Sequence, residues 1–175
     1  CAREHGIKLA LNLGSSQIEQ GLEEYGALLE CTYIIFQNNE EMRRLTGIEE
    51  ARGDADEREM CRRLHEYGVA IVVITDGKRG AMASDGKRFY TIPAYEVEVA
   101  STLGAGDAFA AGCISALIHG KDLQMALRLG AANAASVVTQ PGANRGVLSW
   151  EEALHFVARH GANRGAARAE RTMRT

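Results

Sequence analysis

The sequence is poor in proline, with Pro93 and Pro141 only, and in tryptophan, with Trp150 alone. Its 19 glycines fall into no repeat, so a collagen-like or low-complexity chain is excluded. The four cysteines, Cys1, Cys31, Cys61 and Cys113, are widely spaced and form no Cys-x-x-Cys. That argues against a disulfide framework or a zinc ribbon; buried thiols in a reducing cytoplasm are expected. Long apolar runs are missing too. The longest uncharged stretch, from Leu129 to Asn144, contains Asn133, Gln140 and Pro141, and is too short and too polar to cross a bilayer. The opening Cys1-Ala2-Arg3-Glu4-His5-Gly6 lacks the apolar core of a signal peptide. Neither sign of charge dominates: 20 Lys+Arg face 23 Asp+Glu, which argues against general nucleic-acid binding. His5, His65, His119, His155 and His160 form no i, i+4 pair and no His-Glu-x-x-His, so surface or cap positions are expected rather than metal ligation.

What is present is an ordinary globular composition. Of 175 residues, 46% are hydrophobic and 25% charged, enough apolar side chain to fill a core. The length suits one domain, or one large piece of a bigger one. Apolar and polar stretches alternate in a βα rhythm. Ile7 to Leu13 reads as a strand stopped by Gly14-Ser15-Ser16, and residues 21–30 as a helix. Thr32-Tyr33-Ile34-Ile35-Phe36 is β-branched and aromatic, hence a buried strand. Asn38 sits where a helix cap belongs, and the helix it opens ends at Thr46-Gly47. Residues 54–66 form a highly charged helix, with Met60, Leu64 and Tyr67 at roughly helical spacing.

Val69 to Thr75 is the strongest strand signal, a continuous apolar run of the kind found inside parallel sheets. A hairpin follows, turning at Asp85-Gly86. Helices are expected over about 105–119, 122–139 and 149–160, the last opened by the capping box Ser149-Trp150-Glu151-Glu152. Residues 1–160 are expected to form the folded portion of the chain, a large C-terminal piece of a domain. Residues 161–175, with net charge +3, read as a frayed basic tail. Strands alternating with helices imply an α/β fold, doubly wound, with a mainly parallel sheet flanked by helices. Ligands in such sheets bind beyond the carboxyl ends of the strands. Asn38, Thr75-Asp76-Gly77 and Gly104-Ala105-Gly106-Asp107 belong there.

The chemistry is concentrated in Gly104-Ala105-Gly106-Asp107, followed by Ala108-Phe109-Ala110-Ala111-Gly112. Small residues let the backbone approach a ligand, and a helix that starts here presents N–H groups without intrahelical partners. These groups and the positive end of the helix dipole suit a phosphate. A carboxylate beside a phosphate repels it, so Asp107 wants a reason. One reason is general-base work on an attacking hydroxyl; the other is plain helix capping over a glycine turn. The pattern is neither a Walker A loop nor a dinucleotide fingerprint, since no Gly-Lys-Ser/Thr follows and Phe109 takes the third glycine's place.

Ser101-Thr102-Leu103-Gly104-Ala105-Gly106-Asp107 resembles the Asp-Thr-x-Gly-Ala-Gly-Asp signature of the ribokinase-like (PfkB) carbohydrate and nucleoside kinases. Asn38-Asn39-Glu40-Glu41 and Leu45-Thr46-Gly47 resemble that family's Asn-x-x-Glu and Leu-Thr-Gly. Val73 to Gly80 resembles its strand and Thr-x-Gly-x-x-Gly loop, and Gln140-Pro141-Gly142-Ala143 its Gly-Ala loop. The resemblance implies ATP-dependent phosphorylation of a hydroxyl on a sugar or nucleoside, with Asp107 as base and Gly104, Ala105 and Gly106 as anion hole. It implies that Thr75, Asp76, Gly77, Lys78, Arg79, Gly80 and Asn38 contact the nucleotide, and that Glu41 helps hold Mg²⁺ through water. Counting back from Gly142, the adenine-side position falls on Ala131, with Asn133 a weaker assignment two residues on. Ser101, with Leu103 and Ala143, marks the family's monovalent-cation (K⁺) position. Ser101 stands where the family has Asp and brings no charge.

The resemblance also implies that residues 7–16 open the family's second half. The first half supplies a Gly-Gly-Asn-type sugar motif and a β lid; no Gly-Gly pair occurs here. The expected partners are a small sugar or nucleoside and a missing N-terminal half or second chain, or a second copy in a homodimer, with no nucleic acid and no membrane. A sheet without its first strands leaves an open edge, so the chain alone is expected to be poorly stable, aggregated or paired. The rival expectation is a non-catalytic nucleotide-binding or interaction module. A different α/β nucleotide-binding enzyme comes third.

Overall fold

A computed structural model describes residues 2, 4–48, 54–142, 145–161 and 169–171. In chain order the elements are β1 (Leu9–Leu11), α1 (Ser15–Ile18), α2 (Gly21–Glu24), α3 (Gly26–Glu30), β2 (Thr32–Asn38), α4 (Asn39–Thr46), α5 (Asp54–Glu66) and β3 (Ile71–Thr75). A short 3₁₀ turn, Gly77–Arg79, leads to β4 (Ala81–Ser84), β5 (Arg88–Ile92), α6 (Ala105–Ile118), α7 (Leu123–Val138), α8 (Trp150–Gly161) and β6 (Ala169–Arg171). The sheet runs β1-β2-β3-β4-β5-β6. β1, β2 and β3 are parallel, while β4 and β5 form a hairpin, so the sheet is mixed. Two compact units result. The first holds Cys1–Asp76, Met82–Phe89 and Glu170–Thr175; the second holds Gly77–Ala81 and Tyr90–Ala169.

In the first unit, period-two alternation buries both faces of β2 and β3. Ile35, Val72 and Ile74 join Leu29, Met42, Leu45, Met60 and Leu64 from the helices in one core. Ile34, Phe36 and Val73, on the other face, are buried as well. This is what the apolar run at Val69 to Thr75 predicts. Each fully buried Leu or Ile contributes about 1.5–3 kcal/mol. Gln37 sits among these apolar groups and donates through Nε2 to the Leu13 carbonyl at 3.1 Å, tying the chain after β1 to β2. His65, near the end of α5, bridges the Val69 carbonyl (2.8 Å) and the buried Ser84 hydroxyl (2.8 Å), fixing that helix to the hairpin. At the hairpin turn Asp85 accepts from the amides of Lys87 and Arg88.

Four local expectations change. The strand at Ile7 to Leu13 shrinks to Leu9–Leu11, with Ile7 60% exposed; among the described residues it pairs with β2 alone. Ser15-Ser16 opens α1 instead of ending in a loop. The helix expected over 21–30 breaks at Tyr25 (φ −100°, ψ 10°) into α2 and α3. Val69 belongs to the turn that ends α5: its amide donates to the Leu64 carbonyl and Gly68 takes φ 95°. In the tail, Ala169–Arg171 forms β6; residues 162–168 and 172–175 lie outside the described residues.

In the second unit α6 and α7 approach closely. A Cβ on Gly112 would lie 2.8 Å from the Leu129 carbonyl oxygen, and one on Gly130 2.8 Å from that of Phe109. Glycine is therefore required at both contacts. Cys61 and Cys113 are fully buried, and burial raises both thiols, that of Cys61 to about 12, which removes them as nucleophiles. Among the described residues Cys31 is the remaining free thiol, no helix is long and apolar enough to cross a membrane, and no cluster of His, Cys, Asp and Glu is built to hold a metal ion.

Candidate functional site

The second unit carries the Gly104–Asp107 loop at the start of α6. Gly104 is the N-cap and adopts φ 79°, ψ 0°, a conformation that glycine takes without strain. It has no side chain with which to cap the helix. The Ala105 amide turns back to the Thr102 carbonyl (3.2 Å), and the first helical bond runs from the Ala108 amide to the Gly104 carbonyl (2.9 Å). Between them the amides of Gly106 and Asp107 donate to nothing among the described residues. Gly106 faces open space: a Cβ built there meets no atom within 4 Å. Asp107 is exposed, and it is the only Asp, Glu, Lys or Arg between Glu98 and Lys121.

The loop is held from behind. The amides of Ala100 and Ser101 both donate to the Val138 carbonyl at the end of α7 (2.8 and 3.2 Å). The Ser101 hydroxyl accepts from the Leu103 amide at 3.2 Å, so it is turned onto its own loop; Leu103 is 65% exposed. Asn133, on α7, is buried. Its Nδ2 donates to the Ala108 carbonyl at 2.7 Å, and its Oδ1 accepts from the Leu148 amide at 2.9 Å. Its amide clamps α7 to the first turn of α6 and to the chain before α8. Ala131 is buried in α7. Gly142 adopts φ 102°, and Ala143 lies outside the described residues. In the same unit, Gly77 (φ 46°) and Gly80 (φ 102°) bracket the 3₁₀ turn that exposes Lys78 and Arg79. A Cβ on Gly80 would collide with the Ile92 carbonyl oxygen at 2.0 Å.

The first unit brings Asn38 and Thr75 together as partners at the carboxyl ends of the parallel strands β2 and β3. Asp76 follows, half-buried. Asn38 caps α4: its Oδ1 accepts from the Glu41 amide at 2.8 Å, while Glu41 Oε2 accepts from the Asn38 amide at 3.2 Å. Gly47, in the left-handed conformation, ends the helix. The capping role weighed for Asn38 and Glu41 is thus present. It leaves Asn38 Nδ2 and Glu41 Oε1 without a partner among the described residues.

The sequence reading missed Gly112, Gly130 and the clamp by Asn133. A signal was available, since a glycine inside a helical pattern marks a close approach when it does not mark an end.

With this geometry in view, the comparisons are specific. The family model of the pfkB family carbohydrate kinases matches residues 1–150. The ribokinase of Haemophilus influenzae is 33% identical over 159 residues, 89% of this chain and 49% of that protein. The 1-phosphofructokinase of Haloferax volcanii is 33% identical over 142 residues, 81% of this chain and 44% of that protein. The structure of Arabidopsis thaliana ribokinase complexed with ribose and ATP superposes with a TM-score of 0.79 at 25% identity, covering 88% of this chain and 48% of that one. An Escherichia coli ribokinase II structure with ATP and Mg²⁺ shares the fold, with a TM-score of 0.76 at 24% identity. This chain belongs to the PfkB carbohydrate kinase family. It spans about half the length of the curated relatives it matches.

Proposed function

We propose that this chain is the nucleotide-side half of an ATP-dependent kinase that transfers the γ-phosphoryl group to a hydroxyl of a sugar or related small molecule. The observation that carries the proposal is the open start of α6. Two undonated amides, a glycine facing open space and one isolated carboxylate occupy a single turn. Preorganised amides aimed at developing negative charge are the main resource of phosphoryl transfer, where positioning and electrostatics do most of the work. In the anion hole expected at Gly104, Ala105 and Gly106, the open amides are those of Gly106 and the adjoining Asp107, since Ala105 already donates to the Thr102 carbonyl. Asp107 takes the proton from the attacking hydroxyl, and the hydroxyl oxygen bonds to phosphorus in line with the departing ADP oxygen.

Nucleotide contacts fall to Asn38, Thr75, Asp76 and the turn Gly77 to Gly80, with exposed Lys78 and Arg79 supplying positive charge. Mg²⁺ neutralises phosphate charge when bound. Glu41 is its outer partner, reached through water, as a reluctantly dehydrated ion prefers. The family relatives named above, ribokinase and 1-phosphofructokinase, support a sugar as acceptor.

Ser101, uncharged where the family signature carries Asp, favours one second reading, a nucleotide-binding module without catalysis. One experiment separates them: ATP consumption over a panel of sugars and nucleosides by the protein as it occurs in the cell, with Asp107→Asn beside it. Acceptor-dependent turnover that falls at least about 10²-fold in the variant, with ATP binding kept, supports the kinase. ATP binding with no acceptor-dependent turnover supports the module.

A further inference from the structure

Asn133 is the one polar side chain in Gly130-Ala131-Ala132-Asn133-Ala134-Ala135, the middle of α7, and it is 4% exposed. Asparagine is a poorer helix former than alanine, and a buried amide costs stability unless it is hydrogen-bonded. Its place here therefore rests on what it binds. The Ala108 carbonyl can only accept and the Leu148 amide can only donate, so the side chain has one orientation: Nδ2 to Ala108 at 2.7 Å, Oδ1 to Leu148 at 2.9 Å. Gly112 leaves room for this reach, since a Cβ on it would lie 3.2 Å from that of Asn133.

Ala108 is the residue that closes the open turn of α6. Its amide donates to the Gly104 carbonyl at 2.9 Å, across Gly106 and Asp107, and its carbonyl is the one Asn133 holds. The turn is thus gripped from α7 at two points. Val138 takes the amides of Ala100 and Ser101 before the turn, and Asn133 takes Ala108 after it. The two grips lie about 7.5 Å apart along one helix. Val138 acts through its backbone, so Asn133 is the grip that a side chain controls.

We propose that Asn133 is a positioning residue for phosphoryl transfer. Acting through Ala108, and anchored on Leu148, it fixes where the Gly106 and Asp107 amides and the Asp107 carboxylate point. The inference rests on the kinase reading above for its reaction, and on the two hydrogen bonds for its geometry.

The test uses the protein as it occurs in the cell, with Asn133→Ala and Asn133→Asp beside it. By amide-resolved NMR, Asn133→Ala should speed exchange of the Ala108 amide at least about tenfold, while Cys113 and Ala116, buried further along α6, stay within about twofold. Acceptor-dependent turnover should fall at least about tenfold with KM for ATP within about twofold, because a displaced base and its neighbouring amides are felt in the chemical step. Asn133→Asp keeps the acceptor for Leu148 but, when ionised, sets a carboxylate oxygen against the Ala108 carbonyl. The cleft beside it, lined by Gly112, Ser115, Leu129, Leu148 and Trp150 among others, has no charged side chain in its lining. When protonated, the carboxyl donates to Ala108 and accepts from Leu148 as asparagine does. Turnover of this variant relative to the wild type should therefore rise as pH falls from about 8 to about 6, a dependence that a merely structural role would not give. An Ala108 amide unchanged in Asn133→Ala, or exchange raised equally throughout α6 and α7, would overturn the proposal. So would wild-type turnover in both variants. A wild type without acceptor-dependent turnover removes the kinase reading instead, and exchange at Ala108 then decides the positioning by itself.

Discussion

α4 and α6 begin in opposite ways. α4 starts on Asn38, and its first turn is closed by its own side chains: Asn38 answers the Glu41 amide and Glu41 answers the Asn38 amide. α7 and α8 are closed too, by Asp122 on the Met125 amide and by Ser149 with Glu152. α6 starts on a glycine that has nothing to offer, and the amides of Gly106 and Asp107 stay open. A cap is worth about 1 kcal/mol, so a helix that forgoes one loses local stability. The rest of the second unit makes up for it. The Val138 carbonyl holds the loop from behind, Asn133 holds the Ala108 carbonyl, and two glycines let α6 and α7 touch. The vacancy is local and its support is tertiary.

The largest effect that would break this comparison is chemical. Asp107→Asn should lower acceptor-dependent turnover at least about 10²-fold without weakening ATP binding. An equal loss of binding would make Asp107 a structural residue, no different from the caps of α4 and α7. Next comes the support: Gly130→Ala places a methyl against the Phe109 carbonyl and should destabilise by about 1–3 kcal/mol, read as a lower urea midpoint. An unchanged midpoint would show that α6 and α7 are not held by that contact. Asn38→Ala should cost about 1 kcal/mol and fray the first turn of α4, visible as faster amide exchange at Glu41.

The smallest effect is acid sensitivity of surface carboxylates. The hydrogen bond from Arg62, with help from Arg63, pulls Glu59 down to about 2, and the Ser149 amide, then its hydroxyl, lowers Glu152. Folded values below the unfolded ones mean stability that is present above about pH 4.5 and lost as pH falls toward 2. Glu59 is half-buried on the helix surface and Glu152 exposed, so the urea midpoint should fall only slightly over that window. The first turn of α8, closed by Glu152, should fray before α6 does. A start of α6 that frays first would contradict the comparison.

Much of the frame was legible because its signals are local. The apolar run before Thr75, the Asp85-Gly86 turn, the cap at Asn38 and the Ser149 box each depend on a few neighbouring residues, and each is found. What was not legible depends on contacts that a local pattern does not carry. Tyr25 breaks a helix that propensity would continue, and its hydroxyl finds Gln20 at 2.9 Å. Asn133 reads as a polar residue near a binding loop, yet its partners Ala108 and Leu148 lie 25 and 15 residues away. Asp107 stood out because a charge inside an uncharged stretch is visible in sequence. That its neighbouring amides are open required the fold.

The most direct test is amide-resolved NMR of ATP binding. The account predicts that ATP shifts the amide resonances of Gly106 and Asp107 in the wild-type protein and in Asp107→Asn, while that of Glu41, already bonded to Asn38, moves far less. Saturating ATP that leaves the Gly106 and Asp107 amides unmoved would contradict it.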